Sequence, residues 1–177
     1  MDVLAPITEA ASLEAILDNR EKRAERQRAF LEKYRMPLVS FTVNMPGAVK
    51  DNAAARIVFA EGVRLLDVLV REKGWFSPDW LVTEGVTGPE LLACVESDAR
   101  VLKKCAVTLE ESASLGRLFD MDVLDAAGIS VSRADIGVSS RRCLVCSSPA
   151  KECGRSQKHG YETVLEKVRE MIVLYSE

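Results

Sequence analysis

Aromatic residues are scarce in this chain of 177 residues, at 6%, and there is a single histidine. So few flat side chains leave little with which to stack nucleobases. A basic surplus is missing as well: 24 Lys and Arg stand against 27 Asp and Glu, a net charge of −3, with a pI near 5.4. Without a global positive field the chain is not expected to hold nucleic acid, and any phosphate-binding surface must be local. No apolar run approaches the ~18 residues of a membrane helix, so no membrane association is expected. The opening Met-Asp-Val-Leu-Ala-Pro lacks the basic and apolar regions of a secretory signal, which predicts a reducing, cytoplasmic location. Glycine (ten) and proline (six) are too few for a collagenous or low-complexity chain.

What is present is the composition of a folded domain, with 47% apolar and 29% charged residues. The length suits one domain spanning 1–177. The cysteines, Cys94, Cys105, Cys143, Cys146 and Cys153, are odd in number, and the last three are close together. That pattern reads as metal ligands or free thiols rather than a disulfide framework.

Apolar residues from Leu13 to Tyr34 recur at helical spacing behind Ser12, an N-cap type, until Met36-Pro37 ends the pattern. The polar face of this helix carries Arg20, Lys22, Arg23, Arg26 and Arg28, either as a solvated stripe with intrahelical pairs or as a docking surface for an acidic partner. Leu38 to Asn44, β-branched and aromatic, reads as a strand. A largely buried helix follows from Asp51 or Asn52 to about Lys73. Trp80 to Thr87 and Leu91 to Val95 read as strands, and a helix runs from an N-cap at Ser97 to Glu110-Glu111. Leu118 to Leu124 and Ile129 to Ser132 flank Asp125-Ala126-Ala127-Gly128 as a hairpin. Residues 141–159 form a Cys-rich basic loop and 160–177 a C-terminal helix. The expected fold is α/β or α+β, one domain with a mixed sheet packed by helices.

Two clusters can carry chemistry. Successive strand side chains alternate faces, so Asp120 and Asp122 project together while Phe119, Met121 and Val123 enter the core. Paired carboxylates raise each other's pKa unless a cation compensates them, and their hard oxygens suit Mg²⁺ or Mn²⁺. Exposed hairpins also carry such pairs without a metal. Arg117, behind Gly116, fits bidentate phosphate binding or a plain surface charge. Nucleotidyltransferases hold two metals on an acid, hydrophobic, acid strand to which Asp120-Met121-Asp122-Val123 is similar. Their Gly-Ser pair lies farther upstream than Gly116-Arg117, so the likeness to nucleotidyltransferase folds is partial. The second cluster, Cys143-x2-Cys146-x6-Cys153-x5-His159, offers three thiolates and an imidazole. These close a tetrahedral, structural Zn²⁺ site, or remain ordinary reduced cysteines in a loop.

Several motifs in one order resemble a known family. Pro46-Gly47-x-Val49-Lys50-Asp51, Gly88-Pro89-Glu90, Leu115-Gly116-Arg117-Leu118-Phe119-Asp120-Met121-Asp122-Val123 and Arg141-Arg142-Cys143-Leu144-Val145-Cys146, with Cys153, Arg155 and His159, are similar to CitX, the citrate lyase holo-acyl-carrier-protein synthase family. The resemblance implies a transferase whose donor is 2′-(5″-triphosphoribosyl)-3′-dephospho-CoA. Its acceptor is a serine on the acyl-carrier subunit of citrate lyase, and pyrophosphate is released. On that reading Asp120 and Asp122 hold the metal, and Arg117 and Lys50 meet the triphosphate. Arg141, Arg142 and Arg155 are further anion contacts. The acidic carrier is expected to dock on the loop carrying Arg141, Arg142, Arg155 and Lys158 rather than on the helix face with Arg20, Arg23 and Arg26. A different class of function, a zinc-stabilised adaptor that docks the carrier without catalysis, would leave Asp120 and Asp122 idle.

Overall fold

A computed structural model describes residues 2–176. Ser12 accepts a hydrogen bond from the Ala15 amide and starts α1 (Leu13–Tyr34), and Arg35, in the left-handed region, stops it. Then come β1 (Leu38–Val43), α2 (Ala53–Glu72), β2 (Trp80–Thr83), β3 (Glu90–Cys94), α3 (Ala99–Ser112), β4 (Phe119–Leu124), α4 (Ala150–Ser156) and α5 (Tyr161–Ser176). Asn52 caps α2 through its side chain. The cap of α3 is Asp98, not Ser97, and its carboxylate takes the Arg100 and Val101 amides. One oxygen, Oδ1, accepts both at 2.9 Å, and its negative charge suits the helix N-terminus better than a neutral hydroxyl.

Strand order is β2-β3-β1-β4, and every pairing is antiparallel. The fold is therefore α+β, and the sheet is not mixed in strand direction. One face, built on Val39, Phe41, Leu91, Ala93, Phe119, Met121 and Val123, forms the main core with α2, α3 and, through Val168 and Ile172, α5. α2 lies close because Gly62 has no Cβ; a methyl there would sit 2.3 Å from the Phe41 ring. The opposite face is covered by α1. At one end it is apolar, with Leu31 packed among Leu38, Leu92 and Cys94. At the other it turns polar, and the register aligns Glu90, Thr42 and Asp120 across three strands, with Asp122 opposite Ser40.

Three expected elements take other forms. β2 ends at Thr83, short of Thr87. The hairpin's return segment 129–132 makes only an isolated bridge from Ser130 to Leu124, because the Asp125 carboxylate binds the Ala127 and Ile129 amides and curls the chain into a tight turn. The Cys-rich segment is not all loop, since α4 forms within it behind Pro149. The expected C-terminal helix is α5; Glu177 lies outside the described residues. Among the described residues no helix is long and apolar enough to cross a membrane.

Candidate active site

The alternation along β4 is as the sequence predicts: Phe119, Met121 and Val123 are buried, and Asp120 and Asp122 are exposed on the other face. Two adjoining cavities meet at Asp120 and Asn44. The first, about 420 Å³, is lined by Asp120 and Asp122 together with Lys103, Glu110, Arg133 and Arg141. The second, about 230 Å³, lies beneath α1 and brings Asp120 together with Lys50, Arg20, Arg23 and Glu90. Asp120 is held above the ordinary carboxylate range, first by withdrawal from water and then by Asp122, with Arg141 opposing. Two carboxylates on one strand face, open to a cavity, supply the oxygen donors that Mg²⁺ or Mn²⁺ prefers.

Glu110 organises the first cavity from α3. Its carboxylate, 3% exposed, accepts from Arg133 at 2.5 Å and from Arg141 at 2.7 Å, and from the Met121 amide at 2.9 Å. Arg141 also reaches Asp120 at 3.7 Å, so one guanidinium bridges Asp120 and the buried Glu110. Nothing in the sequence singled out Glu110, because it occupies an unremarkable polar position in a helix.

Beneath α1, Glu90 is nearly buried and is bound by Asn19 at 2.6 Å and Arg26 at 3.0 Å, with Arg23 at 3.6 Å. Part of the basic stripe of α1 therefore faces the sheet rather than a partner, whereas Lys22 makes the expected intrahelical pair with Asp18. The motif Gly88-Pro89-Glu90 was the available signal for Glu90. Lys50 donates to the Met45 carbonyl at 2.6 Å, and burial pulls its pKa down.

Arg117 turns toward the Cys-rich segment. Its guanidinium donates to the carbonyls of Arg142 and Cys143, and burial, with Arg141 and Arg133 nearby, lowers its pKa. It thus anchors the segment that carries Arg141. Arg142 and Arg155 are exposed. A third and larger cleft, about 740 Å³, also touches Asn44 and runs past Gly47, Cys153, His159 and Tyr161. Gly47 has φ +81°, and a Cβ there would meet the Tyr161 hydroxyl at 2.2 Å.

Cys143, Cys146, Cys153 and His159 converge so closely that one ligand atom from each lies within 4.8 Å of all the others. Cys146 Sγ is 3.6 Å from Cys153 Sγ and 3.3 Å from His159 Nε2. Zn–S bonds of ~2.3 Å in a tetrahedron separate sulfurs by about 3.8 Å, so the group can hold a metal such as zinc. Hydrogen bonds from Ser148 and then His159 draw the Cys146 thiol down to about 6. Burial pushes Cys153 up to about 11. Cys146 is thus ready as a thiolate at neutral pH, and Cys153 needs the metal's charge to ionise.

The comparisons with known proteins bear on the whole of this arrangement. A family model described as apo-citrate lyase phosphoribosyl-dephospho-CoA transferase matches residues 11–175. The chain is 40% identical over 168 residues, 94% of each chain, to a probable apo-citrate lyase phosphoribosyl-dephospho-CoA transferase of Vibrio cholerae serotype O1 (strain M66-2). It is 37% identical over 163 residues, 92% of this chain and 89% of the relative, to the Escherichia coli O1:K1 / APEC protein of that name. The matched span runs from the start of α1 through β4 and the Cys₃His group to α5, and the chain belongs to the apo-citrate lyase phosphoribosyl-dephospho-CoA transferase family.

Proposed function

We propose that this protein attaches the phosphoribosyl-dephospho-CoA group to a serine of the apo acyl-carrier subunit of citrate lyase, using the triphosphoribosyl-dephospho-CoA donor and releasing pyrophosphate. The observation that carries the reading is the Asp120/Asp122 pair facing a cavity crowded with cations. The chemistry is of nucleotidyltransferase type: the serine Oγ–P bond forms at the α-phosphorus as the bond to pyrophosphate breaks, and the serine proton leaves to solvent or to one of the two carboxylates. Asp120 and Asp122 would hold Mg²⁺ or Mn²⁺, which neutralises phosphate oxygens when bound. Lys50, Arg20 and Arg23 on one side of Asp120, and Arg141 on the other, meet the triphosphate. Such transfers depend chiefly on positioning and charge stabilisation, which these fixed cations supply.

Arg117 contributes by fixing the segment from which Arg141 projects. Exposed Arg142 and Arg155, with Lys158, steer the acidic carrier. Zinc on Cys143, Cys146, Cys153 and His159 is structural, because four protein ligands leave no open position. Reduced thiols of this kind suit a cytoplasmic location. An adaptor that merely docks the carrier would leave the carboxylate cavity without a task.

Incubating the protein with apo-carrier, donor and Mg²⁺, then weighing the intact carrier, tests the reading. A carrier heavier by one prosthetic group, with one pyrophosphate released per carrier, is the expected result. An unchanged carrier mass refutes it.

A further inference from the structure

We infer that Lys103 is a donor-binding residue: its ammonium meets the donor's phosphate oxygens beside Asp120 and Asp122. The inference rests on the transfer reading above and adds to it a contact from α3, a helix that carries none of the motifs.

Lys103 is only 6% exposed, yet it lines the cavity that holds both aspartates. Its Nζ donates to the Met121 carbonyl at 2.8 Å, the peptide between the two carboxylates. Glu110, on the same helix, takes the Met121 amide. α3 therefore grips both polar groups of one residue on the edge strand, which has no further strand to pair with. That grip explains a hydrogen-bonding side chain at position 103. It does not explain a charge, because a neutral amide donor would satisfy the carbonyl without desolvating an ammonium.

The charge makes no direct ion pair; the carboxylate it acts on is Asp120, whose pKa it helps to pull down across the cavity. Arg133 pairs with Glu110 and Glu111, and Arg141 pairs with Glu110 and Asp120. No carboxylate of the described residues lies within the 4.0 Å of an ion pair with Lys103. An ammonium carries three donors, of which the Met121 carbonyl uses one. With Asp120 and Asp122 neutralised by a divalent cation, the buried Lys103 ammonium is released from Asp120 and becomes a preformed contact for phosphate oxygen on the same cavity wall. Pyrophosphate, the leaving group, carries the same oxygen chemistry without the organic part of the donor.

The test is calorimetric binding of inorganic pyrophosphate, in Mg²⁺, to the full-length protein and to Lys103→Gln and Lys103→Arg. Gln keeps a hydrogen-bond donor for the Met121 carbonyl, on a side chain one bond shorter, while losing the charge. Affinity should fall about tenfold or more in Lys103→Gln, the cost of one hydrogen bond to a charged group. It should recover to within about threefold of wild type in Lys103→Arg, which keeps the charge. In transfer assays the donor KM should rise in Lys103→Gln while the carrier KM holds. Equal pyrophosphate affinity in wild type and Lys103→Gln, in a protein that still modifies the carrier, overturns the Lys103 role and leaves the transfer reading standing. A wild-type protein that neither binds pyrophosphate nor modifies carrier overturns both. Should both variants fail to fold, acetylation of Lys103 in the unsubstituted protein decides: protection by pyrophosphate supports the contact, and unchanged labelling refutes it.

Discussion

Replacing Glu110 with Ala removes one carboxylate from beneath three donors at once. The Met121 amide, on an edge strand, loses its partner on the open side. Arg141, 19% exposed, keeps just the longer contact to Asp120 at 3.7 Å. Arg133, 14% exposed, keeps Glu111 at 2.6 Å. Breaking a buried pair by deleting one member costs about 3–5 kcal/mol, because the partner charge stays desolvated. In a domain of this size each kcal/mol is worth roughly 2–4 °C, so melting should fall by roughly 6–20 °C. Thermal unfolding followed by circular dichroism measures this, with amide exchange at Met121 as the local reporter. Glu110→Gln, which still offers an oxygen to that amide, should lose less stability and keep Met121 protected. A Glu110→Ala protein melting within about 2 °C of wild type with Met121 still protected would show that Glu110 does not organise the cavity.

The raised pKa of Asp120 makes a prediction with a definite sign. A folded-state carboxyl that binds its proton more tightly than the unfolded chain weakens the fold as pH rises through that pKa, above the ordinary 3.8. Asp120→Asn should therefore melt at or above wild type at pH 7 while transfer collapses, and a clear loss of stability there would contradict it. For the Cys₃His group, purified protein should contain about one zinc per chain, and its removal by chelator should lower the melting temperature. Metal-free protein with unchanged melting and full activity would leave four unligated side chains. Reversing Arg155 and Lys158 to Glu should raise the carrier KM more than the donor KM, and the defect should shrink at high salt. Carrier kinetics untouched by that reversal, but impaired by reversal of exposed Arg28, would move docking to α1.

The site's backbone was legible where side-chain periodicity and chemistry agree. Asp120 and Asp122 share a face because a strand repeats every two residues, and Phe119, Met121 and Val123 fix which face is buried. Cys143, Cys146, Cys153 and His159 could be grouped from residue type alone. Charged residues on helices were not legible in the same way. Arg23 and Arg26 sit on a stripe that reads as solvated, and only Glu90, brought across from β3, turns them inward. Lys103 and Glu110 are polar positions in an amphipathic helix, and their role depends on α3 lying along an unpaired sheet edge. α4 was hidden because Pro149 and Gly154 read as loop residues and seven residues show no helical period.

If Asp120 and Asp122 hold the metal for the transfer, losing one carboxylate must stop chemistry without loosening the carrier. The direct measurement compares Asp122→Asn with wild type in two readouts: affinity for the apo-carrier, and the rate at which carrier mass increases with donor and saturating Mg²⁺. Carrier affinity should be unchanged and the transfer rate lower by about 10²-fold or more, the scale of losing a major electrostatic contributor to a transition state. Near wild-type transfer by Asp122→Asn would contradict it.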